Sequence, residues 1–292
     1  MVDISLIPPH QPVLIAGPTA SGKSALAIKI AQHSGGIIIN ADALQVFDGW
    51  RILTARPDDQ ELSQAPHHLY GHIPYDQTYS VGHWLRDVSP FLKQDTPRPI
   101  IVGGTGLYFQ ALTKGLAEIP PTSPDIRAEA DARRLSEGHQ GMLSELDPET
   151  VSRIDGQNPM RVQRAWEVFR ATSKGLAMWQ DETPPPLLQG DHCAKIVMTA
   201  DKDWLNNRID RRFDSMIAAG AMEEAKSMLP NWDPTRQSSR AIGAPELVNY
   251  LIGYCTKAEA ITAAKIASHQ YAKRQRTWFR SKMAHWEPVM LP

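Results

Sequence analysis

Residues 17 to 24 read Gly17-Pro18-Thr19-Ala20-Ser21-Gly22-Lys23-Ser24, and this octet constrains the fold more than any other segment. Before it runs the apolar stretch Val13-Leu14-Ile15-Ala16, and after it the periodic stretch Ala25-Leu26-Ala27-Ile28-Lys29-Ile30-Ala31. The order is strand, glycine-rich loop, helix. The glycines let successive backbone N–H groups turn toward one anionic oxygen, the helix N-terminus adds partial positive charge, Lys23 adds a full charge, and Ser24 offers a hydroxyl to Mg²⁺. Gly17, Thr19, Ala20, Ser21, Gly22, Lys23 and Ser24 are therefore expected to cradle a phosphate or diphosphate, with Ser24 as the metal-facing residue. The loop alone leaves open whether the phosphate is transferred, hydrolysed or simply departs.

At 292 residues the chain accommodates one large α/β domain or a core of about 200 residues carrying an inserted unit, and the second arrangement is expected here. Composition is that of an ordinary folded protein, 42% apolar and 22% charged, without an apolar run approaching the roughly 18 residues a membrane span needs. The start Met1-Val2-Asp3-Ile4-Ser5 shows no basic segment leading into a long apolar one, so a cytoplasmic protein is expected. Cys193 and Cys255 are far apart and lack ligand-spaced neighbours, which argues against a zinc site or a disulfide framework.

Net charge is −1, so a polyanion would have to be held by a local patch. Between Lys265 and Lys282 the chain carries Lys265, Lys273, Arg274, Arg276, Arg280 and Lys282 with no acidic residue, interleaved with Tyr271, Trp278 and Phe279. Phosphate contacts with aromatic stacking surfaces suit single-stranded RNA. A solvated amphipathic helix with buried aromatics gives the same pattern, and this stretch alone leaves both open.

Unalternating apolar runs recur at Val13 to Ala16, Ile37 to Ile39, Pro99 to Val102 and Ile196 to Met198, as in a parallel sheet buried on both faces. Functional loops of such sheets follow the strands' C-terminal ends, which here carry the phosphate loop, Asn40-Ala41-Asp42, and Gly103-Gly104-Thr105-Gly106. Three site segments should thus converge on one edge. From 120 to 189 the strand signal gives way to helical periodicity, the expected inserted domain within a core of 1–119 and 190–292. Asn158-Pro159 makes a helix start, followed by the stripe Val162, Ala165, Trp166 and Phe169 with Arg161, Arg164 and Arg170 largely off it. Leu205, Ile209, Met216 and Ile217 line a further helix ending at Gly220, whose Arg208, Arg211 and Arg212 include pairs able to share a face.

The surrounding motifs narrow the possibilities. In order they are the loop 17–24, Asp42-Ala43-Leu44-Gln45-Val46-Phe47, Thr54-Ala55-Arg56-Pro57, Gly103-Gly104-Thr105-Gly106-Leu107-Tyr108, Arg161-Val162-Gln163-Arg164-Ala165-Trp166-Glu167-Val168, Arg240-Ala241-Ile242-Gly243 and Ala272-Lys273-Arg274-Gln275-Arg276-Thr277-Trp278-Phe279-Arg280. Together, from about Val13 to Trp286, the chain closely resembles the bacterial tRNA dimethylallyltransferase (isopentenyltransferase) family. The resemblance implies a P-loop-containing parallel α/β sheet flanked by helices, with a small inserted helical domain. It also implies transfer of a dimethylallyl group from dimethylallyl diphosphate to the exocyclic amine of the adenosine 3′ of a tRNA anticodon, with Mg²⁺ and release of diphosphate.

Under that resemblance the loop stabilises a departing diphosphate, with Arg208 as a further clamp. Asp42 is the base for the amine, with a helix N-cap or a Mg²⁺ ligand as its other readings. Thr105 is a hydroxyl for the amine or the diphosphate, with a structural turn residue as the alternative. Gln45 would read base edges, and Arg56, Arg161, Arg164, Lys273, Arg274, Gln275 and Arg276 would contact the anticodon stem-loop. A monomer is expected. The sequence departs from the family pattern at Ala43, Phe47, Arg56, Gly156 to Asn158, Ala244-Pro245 and Ser268-His269. Two other readings remain open: an ATP-dependent small-molecule kinase with the insertion as a lid, and a non-catalytic RNA-binding regulator.

Overall fold

The computed structural model describes residues 3–93, 95–189 and 192–291. Six parallel strands form one sheet: β1 (Val13–Ala16), β2 (Ile37–Asn40), β3 (His67–His68), β4 (Pro99–Gly103), β5 (Ala194–Thr199) and β6 (Glu287–Met290), in the spatial order β3-β2-β4-β1-β5-β6. The four expected strands are present; β1 coincides with its expected run, and the other three extend by a residue or two at one or both ends. β3 and β6 carry too little apolar signal to be read from sequence: β3 is two histidines, and β6 contains Pro288, which an edge strand tolerates.

Both faces of the sheet are covered, which is why its central strands are apolar without alternation. Leu14 and Ala16 belong to one core with Trp84, Phe109, Phe279 and Trp286. Val13 and Ile15 belong to the other, with Ala27, Ile28 and Ile30 of helix α1 (Lys23–Ser34). Helices α2 (Asp59–Gln64), α3 (Val81–Val88) and α4 (Gly106–Lys114) complete the first half of the core. Trp84 of α3 stacks on Tyr108 of α4 at 4.6 Å between ring centres, and its indole donates to Asn40 O at 2.7 Å, tying the end of β2 to the helical layer.

The chain separates into two compact units, Met1–Thr113 with Leu187–Pro292, and Lys114–Pro186. The helical unit thus runs from Lys114 to Pro186 against the expected 120–189, and residue 190, the expected start of the second core segment, lies outside the described residues. It contains α5 (Pro124–Ser136), α6 (Gln140–Ser144), α7 (Pro148–Arg153), α8 (Pro159–Thr172) and α9 (Leu176–Asp181). Asn158 caps α8 through its side chain with Pro159 in the first turn, and Val162, Ala165 and Trp166 fill that unit's small core with Ala130 and Met142.

After β5 follow α10 (Lys202–Ala218), α11 (Ala221–Met228), α12 (Ala244–Leu251) and the 26-residue α13 (Lys257–Lys282). Trp50, Leu53, Phe213, Leu247 and Ala264 form a further core among them. No described helix is long and apolar enough to cross a membrane.

Replacing Trp84 by Phe removes the donor to a buried carbonyl and should lower stability by about 1–3 kcal/mol. The midpoint of urea unfolding measures this.

Candidate active site

β1 lies beside β4, and β4 beside β2, so the loops after all three open on the same edge; Ala16 pairs with Gly103, and Asn40 with Val102. In the first loop Ala20 (φ 61°) and Gly22 (φ 84°) adopt left-handed conformations, which turn the chain around a concavity of N–H groups. An alanine held in that region stores strain of the kind found at ligand sites. The N–H groups of Lys23 and Ser24 open α1 and have no intrahelical acceptor. Ser21 is 2% exposed, and its hydroxyl has no partner among the described residues. The loop is built to receive oxygen atoms.

Lys23 Nζ donates to Pro18 O at 3.4 Å, which holds it over the loop. Enclosure by protein pushes its ammonium down to about 8; Asp42 opposes that shift and Arg212 adds to it. From α10, Arg208 Nε donates to Ala20 O at 2.9 Å and Arg212 Nη1 donates to Thr19 Oγ1 at 3.3 Å. The two arginines lie one helical turn apart and reach the same loop, so Arg208 has a companion. Arg212 was visible in sequence only as one of three arginines on that helix. Its burial lowers its pKa, with Asp42 opposing.

The second loop presents Asp42. Its backbone N–H donates to Asn40 Oδ1 (2.8 Å), Asn40 Nδ2 donates to Asp42 O (3.0 Å), and Asp42 Oδ1 accepts from Leu44 N–H (3.0 Å). The carboxylate is thus oriented by its own turn. The third loop locks the second: Thr105 N–H donates to Ala41 O at 3.1 Å, and Thr105 Oγ1 accepts from Ala43 N–H at 2.9 Å. Thr105 accordingly braces the Asp42 loop, which is the turn-residue reading; its hydroxyl proton is still available to a ligand.

Part of this set lines one open cavity. Thr19, Lys23, Asp42 and Arg212 line one part of its wall; Leu53, Ile209, Phe213, Met216, Ile242 and Tyr271 give it apolar surface. Burial and the Asp42 charge both push the Tyr271 phenol up, so it stays protonated. The apolar wall was not expected as such, although Ile209 and Met216 were read as a helix stripe.

Several expected RNA contacts are occupied elsewhere. Gln45 lines the cavity, but its Nε2 donates to Thr54 O and Ala55 O (2.8 and 3.0 Å), closing its own loop and leaving Oε1 for a ligand. Arg56 is half-buried and donates to Asp48 O at 2.8 Å, with its guanidinium filling the space beside Gly71, so it braces a loop. Gln275, expected to face RNA, is buried and bonded to Thr19 and Gly104. The aromatics of the basic stretch turn inward as well: Phe279 is in the core, Trp278 packs against it, and Tyr271 faces the cavity.

Lys273 and Arg274 are exposed, and Arg276 is half-buried. In the helical unit Arg161 lies 3.8 Å from Asp155, and Arg164 donates to Thr122 Oγ1 at 2.8 Å while approaching Glu167.

Lys23 sets a pH dependence. Between about 8 and its unfolded value of 10.5, the unfolded chain binds more protons at this residue, so its contribution to stability rises with pH through that window. A bound anion favours the charged form, so affinity for inorganic diphosphate should fall as pH passes about 8. Calorimetric titration across that range should show this step, and Lys23→Met should lack it.

The IPP transferase profile matches residues 45–282 and the isopentenyl transferase profile residues 11–70. A protein of Ruegeria sp. strain TM1040 named tRNA dimethylallyltransferase is 59% identical over 289 residues, covering 99% of both chains. The crystal structure of the full-length tRNA isopentenylpyrophosphate transferase from Bacillus halodurans is similar with TM-score 0.69 and 33% identity, over 96% of this chain and 90% of that one. A eukaryotic dimethylallyltransferase acting on tRNA, 24% identical with TM-score 0.79 over 96% of this chain and 73% of that one, shares the fold. With a profile spanning most of its length and relatives that match it end to end, the chain belongs to the IPP transferase family.

Proposed function

We propose that the protein transfers a dimethylallyl group from dimethylallyl diphosphate to the N6 amine of the adenosine 3′-adjacent to a tRNA anticodon and releases diphosphate. The observation that carries this reading is the single cavity in which an anion cradle, a carboxylate and an apolar wall meet. An ATP-dependent small-molecule kinase needs the cradle, whereas the apolar surface suits a five-carbon hydrocarbon tail.

The allylic C–O bond breaks as the C–N bond forms, and the amine loses a proton. Lys23, Arg208, Arg212 and the N–H groups opening α1 stabilise the charge gathering on the departing diphosphate. Asp42, held by its turn within the same cavity, accepts the N6 proton. The amine is a poor nucleophile because its lone pair is delocalised into the purine, so removing that proton as the bond forms lowers the barrier. Leu53, Ile209, Phe213 and Met216 hold the tail and keep water from the reactive carbon.

The donor set suits Mg²⁺: the Ser24 hydroxyl stands exposed at the first turn of α1, beside the place of the diphosphate oxygens, and Mg²⁺ commonly binds through one or two protein groups, phosphates and water. When bound it would neutralise diphosphate charge. The target base reaches Asp42 by leaving the anticodon-loop stack, which costs less from a single-stranded loop than from a duplex. Lys273 and Arg274, exposed on α13, and Arg161 and Arg164 of the helical unit supply charge for the RNA backbone. The substrate is an RNA of the cytoplasm, and this reading assigns the protein to that compartment.

The direct test is mass spectrometry of nucleosides from a tRNA pool incubated with the protein, Mg²⁺ and dimethylallyl diphosphate, where prenylated adenosine is expected; its absence would refute the reading. Asp42→Asn should lower turnover by about 10²- to 10⁴-fold while diphosphate binding stays near normal, as measured by single-turnover kinetics and calorimetry. Changing Lys273 and Arg274 together to alanine should weaken tRNA binding and reduce its salt slope by about two. Filter binding at several salt concentrations reads that slope.

A further inference from the structure

Gln275 of α13 is 5% exposed, yet its side chain carries a polar amide between two of the site's loops. Oε1 accepts from Thr19 N–H at 2.8 Å, and Nε2 donates to Gly104 O at 3.0 Å. One end of the amide therefore holds the diphosphate loop and the other holds the loop that braces Asp42, since Thr105, next to Gly104, grips Ala43 and Ala41. A Cβ at Gly104 would fall 2.2 Å from Nε2, so the absence of a side chain there makes room for the bond. The chemistry is specific to an amide. A carboxylate cannot donate to Gly104 O, and an ammonium cannot accept from Thr19 N–H.

We propose that Gln275 is a positioning residue for the transfer reaction: it fixes the separation between the diphosphate cradle and the Asp42 carboxylate, and so the alignment of the allylic carbon with the attacking amine. The role rests on the prenyl-transfer reading given above. Gln275 acts through Thr19 and Gly104, so its loss should disturb the relative placement of two intact subsites more than the affinity of either.

Two substitutions separate this role from general support of the fold. Gln275→Met keeps length and approximate volume while removing both bonds; Gln275→Glu keeps the acceptor for Thr19 N–H and removes the donor to Gly104 O. Each variant is compared with the parent by thermal unfolding, by calorimetric binding of inorganic diphosphate, by binding of a tRNA anticodon stem-loop, and by single-turnover prenyl transfer at saturating substrates. For Gln275→Met the transfer rate should fall by about 100-fold, the loss expected when reacting groups are misplaced by about 1 Å, while both dissociation constants stay within about threefold of the parent. Gln275→Glu should lose rate in the same pattern, and it carries the comparison if Gln275→Met does not fold. An unchanged rate, or a loss of diphosphate affinity as large as the loss of rate, overturns the positioning role. A parent protein that forms no prenylated nucleoside overturns the functional reading and this role with it, whereas an active parent whose rate survives Gln275→Met overturns the role alone.

Discussion

Three strands that run parallel and side by side end on one edge, and the site exists because their loops are forced together there. β4 lies between β2 and β1, so the loop after β4 must pass close to the loop after β2. The approach is tight enough that a Cβ on Gly103 would stand 2.0 Å from Ala41 O, which is why the chain has no side chain at that point. Thr105 then makes two bonds into the same neighbour, from its N–H to Ala41 O and from Ala43 N–H to its hydroxyl. A carboxylate on a free loop would sample many directions; Asp42 sits on one pinned from both sides.

Charge in the cavity is out of balance in a way that favours an anionic ligand. Lys23, Arg208 and Arg212 reach the first loop, while Asp42 is the carboxylate in the cavity wall. Burial depresses both Lys23 and Arg212, so crowding cations here costs stability in the empty protein. Under the proposed reading a diphosphate would relieve that cost by supplying the missing negative charge, most of all as the leaving group gathers more of it. Binding and catalysis would then draw on the same imbalance.

The sheet was legible because strands buried on both faces must be apolar throughout, and Val13 to Ala16, Ile37 to Ile39, Pro99 to Val102 and Ile196 to Met198 are. The turn of the loop 17–24 was legible because a short glycine pattern between strand and helix dictates it, and the place of Asp42 just past β2 followed from the apolar run before it. The apolar wall was not, since Leu53, Phe213 and Ile242 come from distant segments that only tertiary packing brings together. What residue type did not show at Arg56 and Gln45 is that their donors are spent on carbonyls of nearby loop residues, Asp48 for Arg56 and Thr54 and Ala55 for Gln45, while Gln45 Oε1 stays at the cavity.

α13 shows most clearly why composition and position must be read together. Its basic and aromatic residues looked like one RNA-binding surface, but a helix distributes neighbours over opposite faces. Ala272, Gln275 and Phe279 recur at helical spacing and are all buried, while Lys273 and Arg274 between them and Arg280 just after them are exposed. The inward stripe is apolar except at Gln275, and a lone amide in such a stripe must find partners or lose stability. That exception was the signal available in the sequence. It marks the turn at which a helix that otherwise seals the core bonds instead to the loops that would do the chemistry, while Lys273 and Arg274 stay exposed.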